Sequence, residues 1–329
     1  MPSVPPQIRA FVRPFGTFRE WTPSLGAALL VVLVAGGANA YAVAQTADVV
    51  GGHVSGTTLV DNPARPDEAF FEGDFADTGA DVDRGCDRPA TVERELEPVV
   101  ADAVSGDVSL ALLTPFATWV LVAVVFALLT ADGGLRDDEQ FEQFVGLLPA
   151  TAWGVAPATL RYLARPLAVS RLAEGWTHPS AIEPLREAAR AVAAGTDSTV
   201  FLAVVAATLA WQSYVFAGAL RGARDVSRER AVGVVAPLAL LTFGVVVFGP
   251  PTFPADAPNE ILGLVVVAVG FAAFALARTL IAVDTFFELV GMRGRENVEP
   301  RGWYLRLHRT GGVLVMIAGF AAFGGFRYL

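Results

Sequence analysis

Seven long stretches of this chain contain no charged side chain, and they constrain its fold more than any other feature. Each is about 17 residues or longer. A helix needs roughly 20 apolar residues to cross the hydrocarbon core of a bilayer, and a soluble domain has no use for so many such runs. The sequence therefore predicts an all-α, polytopic helical membrane protein with about seven transmembrane helices. The stretches are Trp21–Ala47, Val108–Ala131, Gln143–Leu160, Ser198–Leu220, Ala231–Ala255, Ile261–Ala277 and Thr310–Phe326.

The charged residues are few and unevenly placed. They make up 17% of the chain, below the quarter or so that is typical of soluble domains. Residues 48–107 hold 15 acidic side chains and 4 arginines, which gives this segment a net charge of −11. The whole chain has a net charge of −9, so the remaining residues sum to +2. Such an acidic segment argues against a nucleic-acid partner. All 24 basic residues are arginine, which fits either a halophilic archaeon or the codon bias of a GC-rich genome.

The arginines also predict the orientation in the cell membrane. Arginine-rich flanks stay in the cytoplasm, and three arginines precede the first run, so we expect residues 1–23 to be a cytoplasmic interfacial segment. The acidic loop 48–107 is then extracellular. Ala42–Ala44 is like a signal-peptidase site, but the apolar segment before it is longer than a usual signal core, which favours an uncleaved span. Thr91–Val104 predicts a short helix in the loop, with Thr91 as its cap.

The third run is the weakest span. It is short and contains two prolines, so it either crosses as a kinked helix that extends towards Leu167 or re-enters on the side it left. Crossing places 14 arginines inside and 10 outside, whereas re-entry would export the arginine-rich loops near residues 221–230 and 278–309. We therefore expect it to cross. After it, Ala181–Ala194 has apolar residues at helical spacing and predicts an interfacial amphipathic helix.

The sequence contains no arrangement of residues that points to catalysis. His53, His178 and His308 have no partner at metal-ligand spacing. There is no glycine-rich phosphate motif, no nucleophile elbow and no lysine for a Schiff base. We therefore predict a protein that is not an enzyme, with no catalytic residues, no cofactor and no metal site. The lone Cys86 cannot form an internal disulfide and is expected to be a solvated free thiol or, alternatively, an intermolecular bridge.

Two groups of polar residues are the candidate binding sites. A polar cluster in the fourth run is expected to form interhelical hydrogen bonds or to line a substrate pocket; it comprises Trp211, Gln212, Ser213 and Tyr214. An arginine cluster after that run is expected to contact lipid headgroups or a protein partner; it comprises Arg221, Arg224, Arg228 and Arg230. Ionisable residues near the runs, which mark ion pathways when they lie at bilayer depth, are Glu142, Arg278 and Asp284.

Several of these residues also resemble a known family. Arg13–Phe18 before the first run, Gly133-Gly134 followed by Phe141, and Trp211–Tyr214 followed by Ala223–Arg228 are similar to the haloarchaeal branch of the YIP (Ypt/Rab-interacting protein) membrane proteins. The resemblance implies a five-span domain over residues 24–250, a cytoplasmic N-terminus and a non-catalytic role in membrane organisation or trafficking. Residues 251–329 are then a two-span extension. The family's Asp-Leu-Tyr-Gly-Pro signature is absent, so a Rab-type partner is not implied.

Two functions remain open at this point. The first is a non-catalytic scaffold that binds membrane lipids and an unidentified membrane or cytoplasmic protein, or that forms a homo-oligomer. The second is a transporter or permease for a small molecule or ion, with its site near Trp211–Tyr214. A deep, inward-facing polar cavity around Gln212 would favour transport. A coupled transporter usually shows internal repeats and broken helices at mid-membrane depth; the third run is the candidate for a broken helix, and no repeat is visible in the sequence. Helices packed tightly around Gln212 would favour the scaffold.

Overall fold

The structure is a computed structural model, and it describes residues 4–65, 88–106, 108–130, 137–177, 179, 181–248, 260–277, 280–281 and 302–322. The described part is mostly helical, at 81% of its residues. The prediction of an all-α chain is corrected by one two-stranded antiparallel sheet. Cys86, His178, Arg278 and Asp284, and the Gly133-Gly134 motif, lie outside the described residues.

The N-terminal part consists of two short helices and one long helix. Helices α1 (Pro6–Val12) and α2 (Pro14–Glu20) each begin with a proline, which is favourable at a position whose backbone N–H has no partner in the helix. Helix α3 (Leu25–Gly51) is capped by Ser24, whose side chain accepts from the backbone N–H of Ala27. Helix α3 packs against the helices over residues 108–129, 137–155 and 158–173, so it belongs to the bundle.

The acidic loop contains a small folded unit in its described part. Strands β1 (Thr57–Asp61) and β2 (Thr91–Glu95) pair antiparallel, with Thr57 opposite Glu95 and Asp61 opposite Thr91. Helix α4 follows directly over Leu96–Ser105. The prediction of a helix starting at Thr91 is therefore wrong. Pairing with β1 outweighs the weak helical preference of residues 91–95, in which Thr91 and Val92 are β-branched and suit a strand.

Helices α5 to α7 form one side of the bundle. Helix α5 spans Val108–Leu129, α6 spans Asp137–Val155 and α7 spans Ala158–Ala173. Pro157 separates α6 from α7 because it has no N–H to continue the hydrogen-bond ladder. The pair runs along α3 in one direction, with α6 beside its first half and α7 beside its second half. The third run is thus a broken helix.

The next three helices complete the main bundle. Helix α8 (Ile182–Ala194) agrees with the amphipathic segment predicted from the sequence and buries Leu185 and Ala189 against α4 and the end of α3. Helix α9 (Thr199–Arg224) lies among α2, α6, α7 and α10. Helix α10 (Arg228–Phe248) is more peripheral: Ala231 and Val235 are its buried residues.

The last two helices among the described residues pack as a close antiparallel pair, called the C-terminal hairpin below. Helix α11 spans Glu260–Ala275 and α12 spans Gly302–Ala322. Their axes approach closely because glycines lie at the crossing, where a Cβ atom on Gly312 would come within 2.8 Å of the Gly270 carbonyl oxygen. The hairpin contacts the rest of the bundle through α5, where Phe320 packs against Leu110, and through α6, where Phe144 contacts Phe271 and Phe274.

The described residues contain four helices that are long and apolar enough to cross a membrane. They are Leu25–Gly51, Leu96–Leu129, Thr199–Arg224 and Arg228–Phe248, of which the second joins α4 and α5. Their outward faces carry large apolar side chains, such as Leu30, Leu33 and Leu240, that are exposed. A bilayer accommodates such a surface and water does not, so the chain has the features of a polytopic helical membrane protein.

Candidate functional site: a cavity with a buried arginine

A cavity of about 200 Å³ lies inside the bundle. Its wall is contributed by α5, the end of α6, the start of α7, and by α9, α10 and α12. Most of the lining side chains are aliphatic or aromatic, so the cavity beside Gln212 is largely apolar and not the polar cavity named above as favouring transport. The floor includes Phe216 and Phe126, whose rings meet edge to face at 5.5 Å. Gly154 allows this arrangement because a Cβ atom there would collide with the Phe216 ring.

Arg161 is the charged residue in this apolar wall. It lies in the first turn of α7, and only 4% of its surface is exposed. Its Nη1 donates a hydrogen bond of 2.8 Å to Oε1 of Gln212, which is 8% exposed. The guanidinium also lies 5.3 Å from the centre of the Tyr162 ring. The arginine is thus fixed in one orientation by two neighbours that are both neutral.

No counter-ion for Arg161 is found among the described residues. Both ion pairs that they form lie elsewhere, and none of the described residues that line the cavity is acidic. Two polar atoms of the lining, Arg161 Nε and Thr118 Oγ1, are buried without a hydrogen-bond partner in this part of the chain. A guanidinium N–H only donates and a hydroxyl can donate, so these groups suit an acceptor, and an anion in the cavity would also balance the arginine charge.

The cavity lies at the break between α6 and α7. Ala158, at the start of α7, and Tyr162 pack against Ala38 and Ala42, which are close to the middle of α3. The break is therefore near mid-depth of the bundle. A helix N-terminus at this depth presents the positive end of its dipole to the cavity. The negative end of the α6 dipole lies at the same break, so the buried guanidinium is the group that makes the local field favourable for negative charge.

The polar cluster predicted in the fourth run is divided between two faces of α9. Gln212 and Ser213 line the cavity. Trp211 and Tyr214 point to the N-terminal segment instead: the indole N–H donates to the Phe11 carbonyl oxygen at 3.0 Å, and the phenol donates to that of Val12 at 3.2 Å. One helical turn thus joins the cavity on one side to the docked helices α1 and α2 on the other.

The arginines of the predicted headgroup-binding cluster mostly contact the protein itself. The guanidinium groups of Arg221 and Arg228 lie over the ring of Phe15, at 5.9 and 5.1 Å from its centre. Arg224 caps the end of α5, donating at 3.1 Å to both the hydroxyl and the carbonyl oxygen of Thr130. The backbone N–H of Arg230 donates to the Ser227 hydroxyl at the start of α10.

Sequence reasoning missed Arg161. The third charge-free run ends at Leu160, so the next residue was assigned to an external segment. The alternative of a kinked helix extending towards Leu167 contained the signal, because it carries Arg161 into the bundle. Of the ionisable residues named near the runs, only the backbone of Glu142, in α6, is described. Among the described residues, no group of three acidic, histidine or cysteine side chains is arranged to hold a metal ion.

Comparison with known proteins gives a match for the C-terminal part of the chain. Residues 262–326, about one fifth of the chain, match the model of a family of unknown function, DUF6199. This segment contains most of α11 and α12, including the Phe320 that lines the cavity. No curated protein and no solved structure matches the chain.

The resemblance to the YIP family is wrong. The matching family model lies at residues 262–326, whereas the resemblance rested on residues 13–248 and left the C-terminal hairpin out. The motifs that suggested it are aromatic, glycine and arginine residues at the ends of apolar helices. Such residues recur at the ends of many membrane helices because they suit the interface with water, so they carry little information about ancestry.

Proposed function

We propose that the protein is a transporter that binds a small anion in the cavity around Arg161. The observation that carries the proposal is a buried arginine without a counter-carboxylate among the described residues, in the wall of a cavity. A charge buried in a bundle costs several kcal/mol, so such a residue is retained for a purpose. Within membrane helices that purpose is usually a substrate or ion pathway.

The broken helix supports transport over a scaffold. Transporters build their sites from interrupted helices near mid-membrane depth, where the start of a half-helix faces an anionic group. The break at Pro157 provides an interrupted helix, and Arg161 adds a positive charge in the first turn of the second half-helix. A scaffold gains nothing from an open cavity, because an empty apolar space sacrifices packing contacts. In addition, Arg221, Arg224 and Arg228 are engaged within the protein, which weakens the case for that cluster as a partner site.

The test is uptake by the full chain reconstituted in phosphatidylcholine liposomes. The probes are isotope-labelled ethanesulfonate and decanesulfonate, which keep a negative charge at any working pH, and decyltrimethylammonium as the cationic counterpart. We expect saturable uptake of at least one sulfonate and none of the cation. Arg161→Gln should lower apparent affinity about 10- to 100-fold, because a hydrogen bond to a charged group contributes about 1.5–3 kcal/mol.

A matched control variant is Arg171→Gln, which changes an exposed arginine on the same helix. It should transport like the unmodified protein. The proposal is refuted if neither sulfonate is taken up above protein-free liposomes. It is also refuted if Arg161→Gln and Arg171→Gln behave alike, since the anion would then not depend on the buried guanidinium.

The number of membrane spans and their orientation are part of the same proposal. We propose that α6 and α7 cross together and that α11 and α12 each cross, giving seven spans in the cell membrane. The N-terminus is cytoplasmic and loop 48–107 is extracellular. A membrane-impermeant maleimide should then label Cys86 on intact cells; labelling only after lysis would reverse the orientation. The archaeal source, the division at residue 250 and any oligomer remain predictions from the sequence.

A further inference from the structure

The cavity has few polar groups that remain available to a ligand. Ser213 donates its hydroxyl to the Leu209 carbonyl oxygen, and Thr242 donates to that of Leu238. Both hydroxyl protons are therefore used within their own helices. What remains are the donors of Arg161 and Thr118, which are buried without a partner among the described residues, and the Gln212 amide and Tyr162 hydroxyl, all within an otherwise apolar wall. A fully polar solute would lose its hydration along most of this wall without compensation.

The cavity reaches the outer surface of the bundle between α10 and α12. Leu241 and Ile317 both line the cavity, and they are also 66% and 38% exposed on the outside. A side chain that does both lies at an opening. Nearby side chains on the outer surface are also large and apolar, such as Leu240 and Leu314. The opening is thus surrounded by surface suited to lipid.

The opening lies at the depth of the hydrocarbon core. Leu241 is 13 residues after Arg228, which is about 20 Å along a helix, and the charged end of α10 is expected at the headgroups. A hydrocarbon core about 30 Å thick therefore surrounds Leu241. A molecule that enters here comes from the lipid phase rather than from water.

From these three observations we propose that the ligand is a single-chain anionic amphiphile that enters the cavity sideways from the bilayer, between α10 and α12. Its charged head binds Arg161 and Thr118, and its alkyl or acyl chain lies along the apolar wall towards Leu241 and Ile317. The inference rests on the proposed anion site and adds the class of substrate and its route. A carboxylate, phosphate or sulfonate head satisfies the same donors.

Chain length tests the class of substrate. In the liposome uptake assay, the saturable component that Arg161→Gln removes is compared across alkyl sulfonates from ethanesulfonate to decanesulfonate. We expect the apparent affinity, referred to the aqueous sulfonate concentration, to rise about fourfold for each added methylene, because each methylene leaves water when the amphiphile enters the bilayer and then the cavity. Equal affinity for the shortest and longest sulfonates would overturn the proposal that the ligand is an amphiphile. The proposed anion site would still stand if uptake of both sulfonates depended on Arg161.

A bulky substitution at the opening tests the route. Leu241→Trp should reduce saturable decanesulfonate uptake at least about tenfold, because the larger side chain fills the entrance. The matched control is Leu240→Trp, at a neighbouring position that is 73% exposed and does not line the cavity. Leu241→Ala, which widens the entrance, should keep or increase uptake and shows whether position 241 tolerates change.

Photolabelling gives a readout that does not depend on transport rate. A decanesulfonate with a diazirine at the end of its chain should label α10 near Leu241 and α12 near Ile317, and labelling should fall in Arg161→Gln. Labels confined to helix ends that face water would overturn entry from the bilayer. So would equal uptake by Leu241→Trp and Leu240→Trp, even if Arg161 still proves essential for the anion.

Discussion

Replacing both Arg161 and Gln212 by apolar residues should stabilise the protein while it abolishes anion binding. Arg161→Met with Gln212→Leu keeps similar side-chain volumes and removes the buried charge together with its hydrogen-bond acceptor. The native pair gains one charge-assisted hydrogen bond of 2.8 Å, worth about 1.5–3 kcal/mol. Two costs oppose this gain. Desolvation of the guanidinium costs several kcal/mol, and its Nε atom, which has no partner among the described residues, costs about 1–3 kcal/mol.

The balance therefore favours the apolar pair. Replacing buried ionic groups by well-packed apolar residues typically adds about 1–4 kcal/mol. In a chain of this length, 1 kcal/mol corresponds to a shift of melting temperature of about 1–2 °C, because the shift falls as the unfolding entropy grows with size. We expect a rise of about 2–6 °C for the double variant. Arg161→Met alone should gain less, because it leaves the Gln212 oxygen buried without a donor, at about 1–3 kcal/mol.

The assay is thermal unfolding of the protein in phosphatidylcholine nanodiscs, followed by tryptophan fluorescence, with no sulfonate present. Arg224→Met is the contrasting control, because Arg224 caps α5 through two hydrogen bonds to Thr130 and should be needed for stability. Its melting temperature should fall. If the double variant also melts below the unmodified protein by a similar amount, Arg161 stabilises the fold. Its burial would then not cost stability, and it would no longer indicate a functional role.

Two further predictions concern glycines at helix contacts. Gly218→Ala should lower the melting temperature by the equivalent of about 1–3 kcal/mol, because its Cβ would collide with Pro14. The control Gly233→Ala should be neutral or stabilising through helix propensity, because a Cβ there would have no atom within 4 Å. In the C-terminal hairpin, Gly312→Ala should lower the melting temperature and the adjacent Gly311→Ala should leave it unchanged, because only a Cβ at position 312 would meet backbone atoms. Equal changes of melting temperature within either pair of variants would contradict the packing described.

The positions of the apolar helices could be predicted from the sequence, because helix formation in lipid depends on local composition. Every charge-free run overlaps a helix, and α8 was predicted within one residue of its start. The start of α4 could not be found in this way. Residues 91–95 form a strand only because Thr57–Asp61 pairs with them from a distant part of the loop, and a local pattern contains no information about that partner.

The candidate site was predictable only in part, for a related reason. Gln212 was recognised because a polar residue inside an apolar run stands out. Arg161 was not, because a criterion that looks for uncharged stretches ends a span at the first charge it meets. Such a criterion therefore leaves out of the predicted span any functional charge that is buried in a membrane bundle. The proline at position 157, four residues before Arg161, was the better indicator, since broken helices accompany binding sites at this depth.

The two faces of α9 suggest why the N-terminal segment is docked where it is. Trp211 and Tyr214 bind the backbone of residues 11 and 12, and Gly222 allows α2 to approach the same face, where a Cβ atom would come within 2.5 Å of Phe18. Each contact restrains rotation of α9 about its axis. Gln212 lies within the same turn as Trp211 and Tyr214, so fixing that rotation also fixes the direction of its Oε1 towards Arg161. The docked helices thereby hold the acceptor that orients the buried guanidinium, and the cavity depends on a segment that never touches it.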